Sequence, residues 1–523
     1  MNTKILTTSK EDIALAGALV ARGGLVAFPT ETVYGLGANA LDEAAVKSIY
    51  TAKGRPSDNP LIVHIAEKED IVPLVQAVTP PAQALIDAFF PAPLTVILKK
   101  SDRVPAVTSG GLDTVAVRMP QNETARALIR ASGCPIAAPS ANTSGLPSPT
   151  RAQHVIDDMS GKIDAIIDGG DCAVGVESTV ITLATDVPTI LRPGAVTKEM
   201  LEAVIGPVKV APAVLEGMKN DEVAASPGMK YKHYAPKARV VLVDADQALY
   251  EQFVNSRDGA FALCFEGDQV TVPHLCYGRE SDDLSQAREL FDALRRLDEM
   301  GAEKVYARMP RKDGVGMAVY NRLIRAAAFT VIDLRKPFTL GVTGQTGAGK
   351  GYVCALLAEK GFTVVDADAY SHQVTAEGSP VLPALQAAFG EDVAENGVLD
   401  RKRLAERAFA SRESTDCLNR ILHPAIIALC RDAAKGLTVL DAPQLLEAKM
   451  ETDCYKVISV LAPEAVRLQR IMARDSLTEQ QALTRIRAQH SEKYYTDKSD
   501  CVIINDGTAD VPSQLARILD AIL

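Results

Sequence analysis

Short apolar runs of strand length alternate along the chain with longer segments in which apolar residues recur at helical spacing. The strand-like runs lie at 25–28, 114–117, 180–183, 240–243, 261–265, 304–307 and 338–342. Helical periods separate them, among them 285–300 and 316–329. Such runs are typical of buried strands, and their regular alternation with helices predicts an α/β protein.

The pattern breaks in two places, which divides the chain into domains. At 523 residues the chain is also longer than one core normally supports. We predict an α/β domain at 1–208, an ordered linker without a sustained period at 209–236, a small Rossmann-like βα domain at 237–335 and a third α/β domain at 337–523. The dipeptide Lys336-Pro337 marks the last boundary, because the residue before a proline disfavours helix.

Composition excludes several classes of function. Hydrophobic residues make up 47% of the chain, yet no apolar run approaches the roughly 18 residues that span a bilayer. The first ten residues lack an apolar signal segment, and the nine cysteines are scattered without a CxxC pair. A net charge of -10 opposes binding to an extended nucleic acid. We therefore expect a cytoplasmic protein with reduced thiols, no membrane association and no stable nucleic-acid complex.

A glycine-rich motif opens the third domain. It follows an apolar strand, begins a helix and fits the phosphate loop G-x-x-x-x-G-K from Gly344 to Lys350. In such loops backbone N–H groups and the helix N-terminus hold phosphate oxygens, and the lysine reaches the outer phosphates. The alternative is a glycine-rich turn that binds no ligand. We assign ATP binding here to Gly347, Ala348, Gly349, Lys350, Gly351 and Tyr352.

One position of this loop departs from the pattern. The residue after the lysine is normally Ser or Thr, whose hydroxyl binds magnesium, and here it is Gly351. Backbone cradling of phosphate needs no side chain at that position. Mg²⁺ then depends on water, ATP oxygens and a carboxylate such as Asp366. A structural domain without kinase activity is the alternative that this glycine leaves open.

The motifs that follow the loop resemble the dephospho-CoA kinase family from residue 338 to the C-terminus. In the family's order they lie at 363–368, 397–401, 418–424, 440–447, 467–475 and 500–507. The resemblance implies a P-loop NTPase-type kinase with a parallel sheet. Such a kinase uses ATP and Mg²⁺ to phosphorylate the ribose 3'-hydroxyl of dephospho-CoA.

Two acids at one strand end are the candidate catalytic groups of this kinase. Asp368 is the candidate base that accepts the proton of the substrate hydroxyl. Asp366 is the candidate metal ligand or orienting group. Paired acids after a strand often only cap the next helix, which is the alternative for both.

Cations farther along the chain are candidates for a lid and a substrate contact. Arg467, Arg470 and Arg474 are spaced i, i+3 and i+7, so they share a helix face that suits closure over phosphates. Taken alone, such a stripe is typical of a solvated face. His423, which precedes Pro424, is interpreted equally as a substrate contact or as a residue that starts a helix.

In the first domain, cations and hydroxyls collect after strand ends. The segments concerned are 29–36, 53–56, 59–64, 117–120, 140–145, 148–150, 177–179 and 191–194. They contain no Walker loop, so Lys and Arg side chains and Ser hydroxyls would hold a triphosphate. Their spacing supports no Ser-His-Asp or Cys-His nucleophile, and we predict catalysis by positioning in a cationic cavity for a nucleotide and a small zwitterion. Taken singly, His64 is also typical of a packed strand and Ser148 of a turn.

The joint order of these segments resembles the YrdC-like threonylcarbamoyl-AMP synthases over residues 1 to about 208. The resemblance implies a twisted α/β domain that joins L-threonine, bicarbonate and ATP into threonylcarbamoyl-AMP and pyrophosphate, for modification of tRNA adenosine 37 by separate partner proteins. Carried onto this chain, the threonine contacts are Thr32, His64, Arg118, Ala138 and Ser178. The ATP contacts are Lys53, Arg55, Asn59, Thr114, Ser140, Ser148, Arg192 and Tyr231.

Longer members of this family carry a linker and an extra C-terminal domain, and residues 226–236 resemble that linker. We expect it to cover the cavity, with Tyr231 or His233 touching ATP; a passive spacer is the alternative. Ala92 stands where the family usually has Gly, from which we expect a small packing effect. Two rival functions are an RNA-binding regulator, which the net acidity opposes, and a carbamoyl transferase, whose zinc-finger cysteine pairs are lacking.

Overall fold

The chain folds into two compact units of α/β structure. The computed structural model describes residues 2–214, 234–257, 259–335 and 338–522. One unit comprises Met1–Asp244 with Asp258–Val331, and the other comprises Ala245–Arg257 with Ile332–Leu523. Each is built on parallel or mixed sheets flanked by helices, which confirms the predicted α/β class.

The first unit is built around a mixed sheet of eleven described strands in the order β1-β8-β2-β3-β7-β4-β6-β5-β9-β10-β11. The strands are β1 Lys4–Leu6, β2 Val26–Phe28, β3 Gly35–Asn39, β4 Ile62–His64, β5 Leu94–Lys99, β6 Thr114–Arg118, β7 Ile136–Ala138, β8 Ala165–Ile167, β9 Thr179–Thr182, β10 Thr189–Arg192 and β11 Lys209–Val210. The helices are α1 Lys10–Ala21, α2 Glu43–Lys53, α3 Pro80–Phe89, α4 Glu123–Ser132, α5 Ala152–Met159 and α6 Lys198–Ile205.

Helix α2 shows how local sequence places a site residue. Asp42 caps its N-terminus by accepting hydrogen bonds from the backbone N–H groups of Ala44 and Ala45. Gly54 ends it in the left-handed region at φ 63°, where a residue without Cβ is favoured. The helix therefore stops with Lys53 in its last turn, where its side chain is buried.

A smaller sheet follows in the chain, in the order β14-β13-β15-β12-β16. Its strands are β12 Arg239–Asp244, β13 Phe261–Cys264, β14 His274–Cys276, β15 Lys304–Arg308 and β16 Val331–Asp333. Between these strands the chain forms α7 Gln247–Asn255, which belongs to the second unit, and α8 Asp283–Glu299 and α9 Gly316–Ala326, which belong to the first. Helix α9 is buried along almost its whole length. Within the first unit its Asn321 side chain donates to the carbonyl of Val214 at 2.7 Å, which joins this small domain to the edge of the large sheet.

The second unit contains an all-parallel sheet in the order β18-β21-β17-β22-β23. Its strands are β17 Phe338–Gly344, β18 Thr363–Asp366, β21 Leu437–Asp441, β22 Lys456–Leu461 and β23 Cys501–Ile504, and β19 Ala394–Glu395 and β20 Val398–Leu399 form a separate hairpin. The helices are α10 Lys350–Glu359, α11 Ala367–Val374, α12 Leu382–Phe389, α13 Arg401–Ala408, α14 Arg412–Ala433, α15 Glu464–Asp475, α16 Glu479–Arg487, α17 Glu492–Lys498 and α18 Val511–Ile522. Short 3-10 helices lie at Glu391–Val393 and Met450–Asp453 in this unit, and at Lys68–Leu74 and Pro212–Val214 in the first unit.

Observed elements differ from the predicted ones mainly at their ends. The helix predicted at 316–329 stops at Ala326, and the strand predicted at 338–342 runs on to Gly344. Residues 209–210, predicted to begin the linker, form β11 and pair with β10 of the large sheet. Most of the predicted linker, including Tyr231 and His233, lies outside the described residues. None of the described helices is both long and apolar enough to cross a membrane.

Candidate active sites

A cavity at the strand ends of the first unit gathers most of the predicted threonine residues. Thr32, His64, Arg118 and Ala138 all line it. Ser178 lies behind the wall, where its hydroxyl is 2.8 Å from that of Thr95. The complete lining is Thr30, Thr32, Val33, Gly35, Arg55, Ile62, His64, Arg118, Ala138, Pro139, Ser140, Asn142, Leu146, Glu177, Arg192 and Tyr234.

Strand register brings the polar groups of this cavity together. His64 at the end of β4 is the register partner of Arg118 at the end of the parallel strand β6. The guanidinium of Arg118 donates to the Glu31 carboxylate at 2.6 Å, and both side chains are buried. Because Glu31 belongs to the loop after β2, this ion pair fixes the loop against the sheet and orients the arginine.

Two arginines of the cavity, the buried Arg192 and the half-buried Arg55, contact neutral oxygens. Arg192 donates through Nε to the carbonyl of Ser178 at 3.0 Å and through Nη2 to its hydroxyl at 3.1 Å. Arg55 donates to the carbonyls of Asn59 and Pro60 at 3.4 and 3.3 Å. Burial lowers the pKa of each arginine to about 10, which leaves both charged at neutral pH. Removing a cation from water is costly unless an anion compensates it, so the pair favours an anionic ligand.

The remaining predicted ATP residues do not all lie at the cavity. Ser140 lines the cavity. Lys53 is buried, and its ammonium donates to the backbone carbonyls of Ser140 and Asn142; burial lowers its pKa well below the usual value. Asn59 is 1% exposed, and neither atom of its amide has a hydrogen-bond partner among the described residues. Thr114 begins β6 at the opposite end of the strand from Arg118.

A buried carboxylate that the sequence did not single out, Glu177, joins the small domain to this wall. Ser148 donates its hydroxyl to one Glu177 oxygen at 2.6 Å, and Arg322 of α9 donates through Nε to the other at 2.7 Å. Arg322 is 0% exposed. Burial raises the pKa of the Glu177 carboxyl, but Arg322, Arg192 and Ser148 outweigh it, and the pKa lies below its usual range. Glu177 is therefore ionised and held by a residue from another domain.

His64 is held neutral in this site. Burial, followed by the charge of Arg118, lowers its pKa to about 3. An unfolded histidine has a pKa of about 6.5, so between these values only the unfolded chain binds the proton and stability falls as pH drops. We expect His64 to make the free energy of unfolding about 2 kcal/mol smaller at pH 5 than at pH 7.

Urea denaturation at pH 7 and pH 5 measures this effect. His64→Gln removes the titrating group and is expected to flatten this part of the pH dependence. His274→Gln, on an exposed residue of β14, is the control and should behave like wild type. An unchanged pH dependence in His64→Gln would show that His64 does not lose its proton on folding.

The second unit carries a cavity of about 960 Å³ around the glycine-rich loop. The loop joins β17 to α10, as predicted, and Gly347, Gly349, Lys350 and Gly351 line the cavity. Gly349 has φ 98°, and an added Cβ there would lie 2.2 Å from the side-chain amide nitrogen of Asn505. Only glycine fits this position. Ala348 is buried and Tyr352 is 50% exposed, and neither is in the lining.

The acids of this cavity have separate roles. Asp366 caps α11, because one of its oxygens accepts hydrogen bonds from the N–H groups of Asp368 and Ala369. Asp366 is not in the cavity lining, whereas Asp368 is. Desolvation raises the pKa of the Asp368 carboxyl above its usual value. At the end of the neighbouring strand β21, Asp441 pairs with the ammonium of Lys350.

The three predicted lid arginines lie on one helix, α15, but in different surroundings. Arg470 lines the cavity and donates to the carbonyls of Gly347, Ala348 and Asn505 at 3.1–3.4 Å. Arg474 also lines the cavity and pairs with Asp475. Arg467 is 6% exposed and does not line the cavity, and its Nε and Nη1 have no partner among the described residues. Exposure therefore differs along the face: Arg467 is buried, Arg470 is half-buried, and Arg474 alone of the three is exposed, as in a solvated stripe.

His423 lies near the middle of α14, not at a helix start, so that interpretation is wrong. Pro424 is accommodated inside the helix. The imidazole of His423 lines the cavity and lies 3.3 Å from the side-chain oxygen of Gln444. This position leaves the substrate contact as the functional interpretation.

Comparison with known proteins decides the family of each part. Residues 18–194 match a family model described as telomere recombination, 196–328 match the C-terminal domain of threonylcarbamoyl-AMP synthase, and 338–510 match dephospho-CoA kinase. The threonylcarbamoyl-AMP synthase of Pyrococcus abyssi is 48% identical over 331 residues, which are 61% of this chain and 95% of that protein. The dephospho-CoA kinase of Idiomarina loihiensis is 36% identical over 178 residues, 33% of this chain and 88% of that protein.

The chain belongs to both enzyme families. Its synthase part is also similar to a crystal structure of P. abyssi Sua5 complexed with L-threonine, with 45% identity and a TM-score of 0.59 over 63% of this chain and 99% of that one. The predicted fusion of a threonylcarbamoyl-AMP synthase to a dephospho-CoA kinase is confirmed.

Four residues of the synthase and kinase sites were given no role by the sequence motifs. In the synthase these are Glu177, Arg322 and Tyr234, which lines the cavity with its backbone at φ 64°. In the kinase it is Asp441. Glu177 and Asp441 lie inside the motifs described above, so an acidic residue within each motif was the available signal. Arg322 lies 145 residues from Glu177, and no local pattern connects them.

Proposed function

We propose that the first unit joins threonine, bicarbonate and ATP into threonylcarbamoyl-AMP and pyrophosphate, and that the second phosphorylates the 3'-hydroxyl of dephospho-CoA. For the synthase, the supporting observation is the pair of cavity arginines, Arg55 and Arg192, whose hydrogen bonds within the described residues go to neutral oxygens. A triphosphate supplies the negative charge that this pair requires. The same cavity is also lined by Thr32, His64 and Arg118, which suit an amino acid.

Positioning accounts for the synthase chemistry. The amine of threonine and bicarbonate give a carbamate and water. A carbamate oxygen then attacks the α-phosphorus of ATP and releases pyrophosphate. Arg55 and Arg192 stabilise the charge that develops on the phosphates, and no covalent bond to the protein is needed. Neutral His64 offers a ring nitrogen to a polar group of threonine without adding a second positive charge beside Arg118.

In the kinase, Asp368 accepts the proton of the ribose 3'-hydroxyl while Lys350 contacts the transferred phosphoryl group. Lys350 must exchange its contact with Asp441 for the phosphates when ATP binds. The raised pKa of Asp368 makes it a better proton acceptor than an ordinary carboxylate.

Magnesium fits this site on the chemistry of its donors. Mg²⁺ keeps several waters and takes one or two carboxylates in addition to phosphate oxygens. Asp441 at the end of β21 provides one such carboxylate beside Lys350, and Asp366, the predicted ligand, provides another nearby at the end of the paired strand β18. Bound there, the ion would neutralise charge on the transferred phosphoryl group.

Two assays on the intact chain test the proposal. Pyrophosphate release from ATP should depend on both threonine and bicarbonate, and ADP release should depend on dephospho-CoA. If tRNA instead binds tightly in a salt-sensitive manner and threonine-dependent pyrophosphate release is absent, the first unit is an RNA-binding module. Absence of dephospho-CoA-dependent ADP release identifies the second unit as a structural domain.

Gly351→Ser is expected to lower the magnesium concentration needed for half-maximal kinase activity by about threefold to tenfold, since it restores a hydroxyl ligand. A Cβ at residue 351 meets no atom within 4 Å, so serine fits without strain. Gly351→Ala adds the same Cβ without the hydroxyl and is the control. The measurement is ADP release against MgCl₂ at fixed ATP. Equal requirements in the two variants would show that other ligands already replace the hydroxyl.

A further inference from the structure

The kinase cavity has two chemically different walls. One carries the glycine-rich loop and the cationic side chains Arg470, Arg474 and Arg485. The other is largely apolar and is formed by the end of α13 and one face of α14, through Phe409, Leu418, Leu422 and Ile426. Phosphates are held at the first wall, so the second wall contacts parts of a ligand that carry little charge.

Phe409 is exceptional on the apolar wall. It is 67% exposed, the highest exposed fraction among the large apolar side chains of the described residues. Its neighbours Ala408, Leu418 and Leu422 are buried in one core, to which Phe409 does not belong. An aromatic ring at the mouth of a nucleotide cavity, with its surface free to solvent, provides a flat face on which a base can stack.

The chemistry of the acceptor places a base near this wall. The hydroxyl that is phosphorylated belongs to the ribose that also carries the adenine of dephospho-CoA. When this hydroxyl meets Asp368, the adenine lies within one sugar of that carboxylate. Asp368 is on α11, which packs directly on α14, and residues of both helices line this cavity, which favours the α14 side for the acceptor's adenine. In-line transfer puts the leaving ADP on the opposite side, toward the glycine-rich loop.

We propose that Phe409 is the stacking platform for the adenine ring of dephospho-CoA, and so a residue that determines which acceptors the kinase uses. The inference rests on the proposed kinase activity and adds to it a subsite for the acceptor's base. Because stacking requires only an aromatic face, Tyr and Trp at this position preserve it, whereas Ala removes it. The pantetheine arm of the acceptor takes no part in this contact.

A fluorescence titration tests where the base binds. The chain contains no tryptophan, so Phe409→Trp introduces a single indole. Dephospho-CoA should quench its emission with saturation. ATP, added in the absence of acceptor at concentrations that saturate the kinase, and 4'-phosphopantetheine should leave it unchanged. Equal quenching by ATP would place Phe409 at the donor's adenine, and quenching by 4'-phosphopantetheine would place it at the arm. Either result overturns the proposal, as does absence of quenching by dephospho-CoA.

Steady-state kinetics on the intact chain provides the second test. Phe409→Ala should raise KM for dephospho-CoA about tenfold to a hundredfold and change KM for ATP less than about twofold. Phe409→Tyr should restore the wild-type KM. Val398→Ala removes another exposed apolar side chain of this unit, one outside the cavity, and is the matched control. If the wild type is active and Phe409→Ala leaves KM for dephospho-CoA unchanged, the stacking role of Phe409 is refuted while the kinase activity stands. An inactive wild type refutes the kinase activity, and the titration then still decides whether the base binds here.

Discussion

Arg322→Met is expected to abolish threonylcarbamoyl-AMP formation and to lower the free energy of unfolding of the first unit by about 3–5 kcal/mol. The substitution keeps most of the side-chain volume but leaves the ionised Glu177 buried without its cationic partner. Ser148, which donates to the same carboxylate, then loses its fixed orientation at the cavity wall. Pyrophosphate release and urea denaturation measure the two effects.

The chain provides strong controls for this prediction. Arg296→Met removes an exposed arginine from α8 and should leave both activity and stability near wild type. The double variant Arg322→Met with Glu177→Gln removes the unpaired charge and should recover much of the stability without recovering activity. The kinase of the same polypeptide should keep its rate in all three variants. Full synthase activity in Arg322→Met would show that the Glu177 contact has no part in catalysis.

Asp368→Asn is expected to lower the kcat of the kinase by about 10²–10⁴-fold, the range over which a general base contributes. The amide is nearly isosteric with the carboxylate but cannot accept the proton of the 3'-hydroxyl. Because the base must be deprotonated, wild-type kcat/KM should rise with pH through the raised pKa of Asp368, and this acidic limb should be missing in the variant. ADP release across a pH series measures both, and the synthase rate should not change.

Asp366→Asn distinguishes a base from a cap or a metal ligand. An asparagine still caps α11, so stability should stay within a few tenths of a kcal/mol of wild type. A raised magnesium requirement in this variant would support Asp366 as the metal ligand. A loss of kcat equal to that of Asp368→Asn, with an unchanged magnesium requirement, would contradict the assignment of Asp368 as the base.

Sequence motifs predicted those parts of the sites that are local in the chain. The glycine-rich loop is one continuous segment between a strand and a helix, and its conformation follows from residue types such as Gly349. His64, Arg118 and Ala138 were grouped by resemblance to a family, and strand register explains why they meet.

What the sequence did not predict depends on packing over long distances. The ammonium of Lys53, which the family resemblance assigns to ATP, contacts the backbone carbonyls of Ser140 and Asn142, residues far from it in the chain. His423 precedes a proline, which usually marks a helix boundary, yet α14 continues through both residues. The partner of Glu177 lies in a different domain, and only the fold brings that arginine to the cavity.

The ion pair between α9 and the wall of the synthase cavity also limits how this protein can be dissected. A fragment that stops after the large sheet keeps the residues that resemble YrdC-like enzymes, but it lacks the guanidinium that neutralises one of their carboxylates. Its pocket would carry one more negative charge close to where ATP has to bind. Assays on such a shortened protein would therefore report on an electrostatically altered enzyme. A fragment for studying the synthase has to include α9 and β16, the last strand of the small sheet, which ends at Asp333.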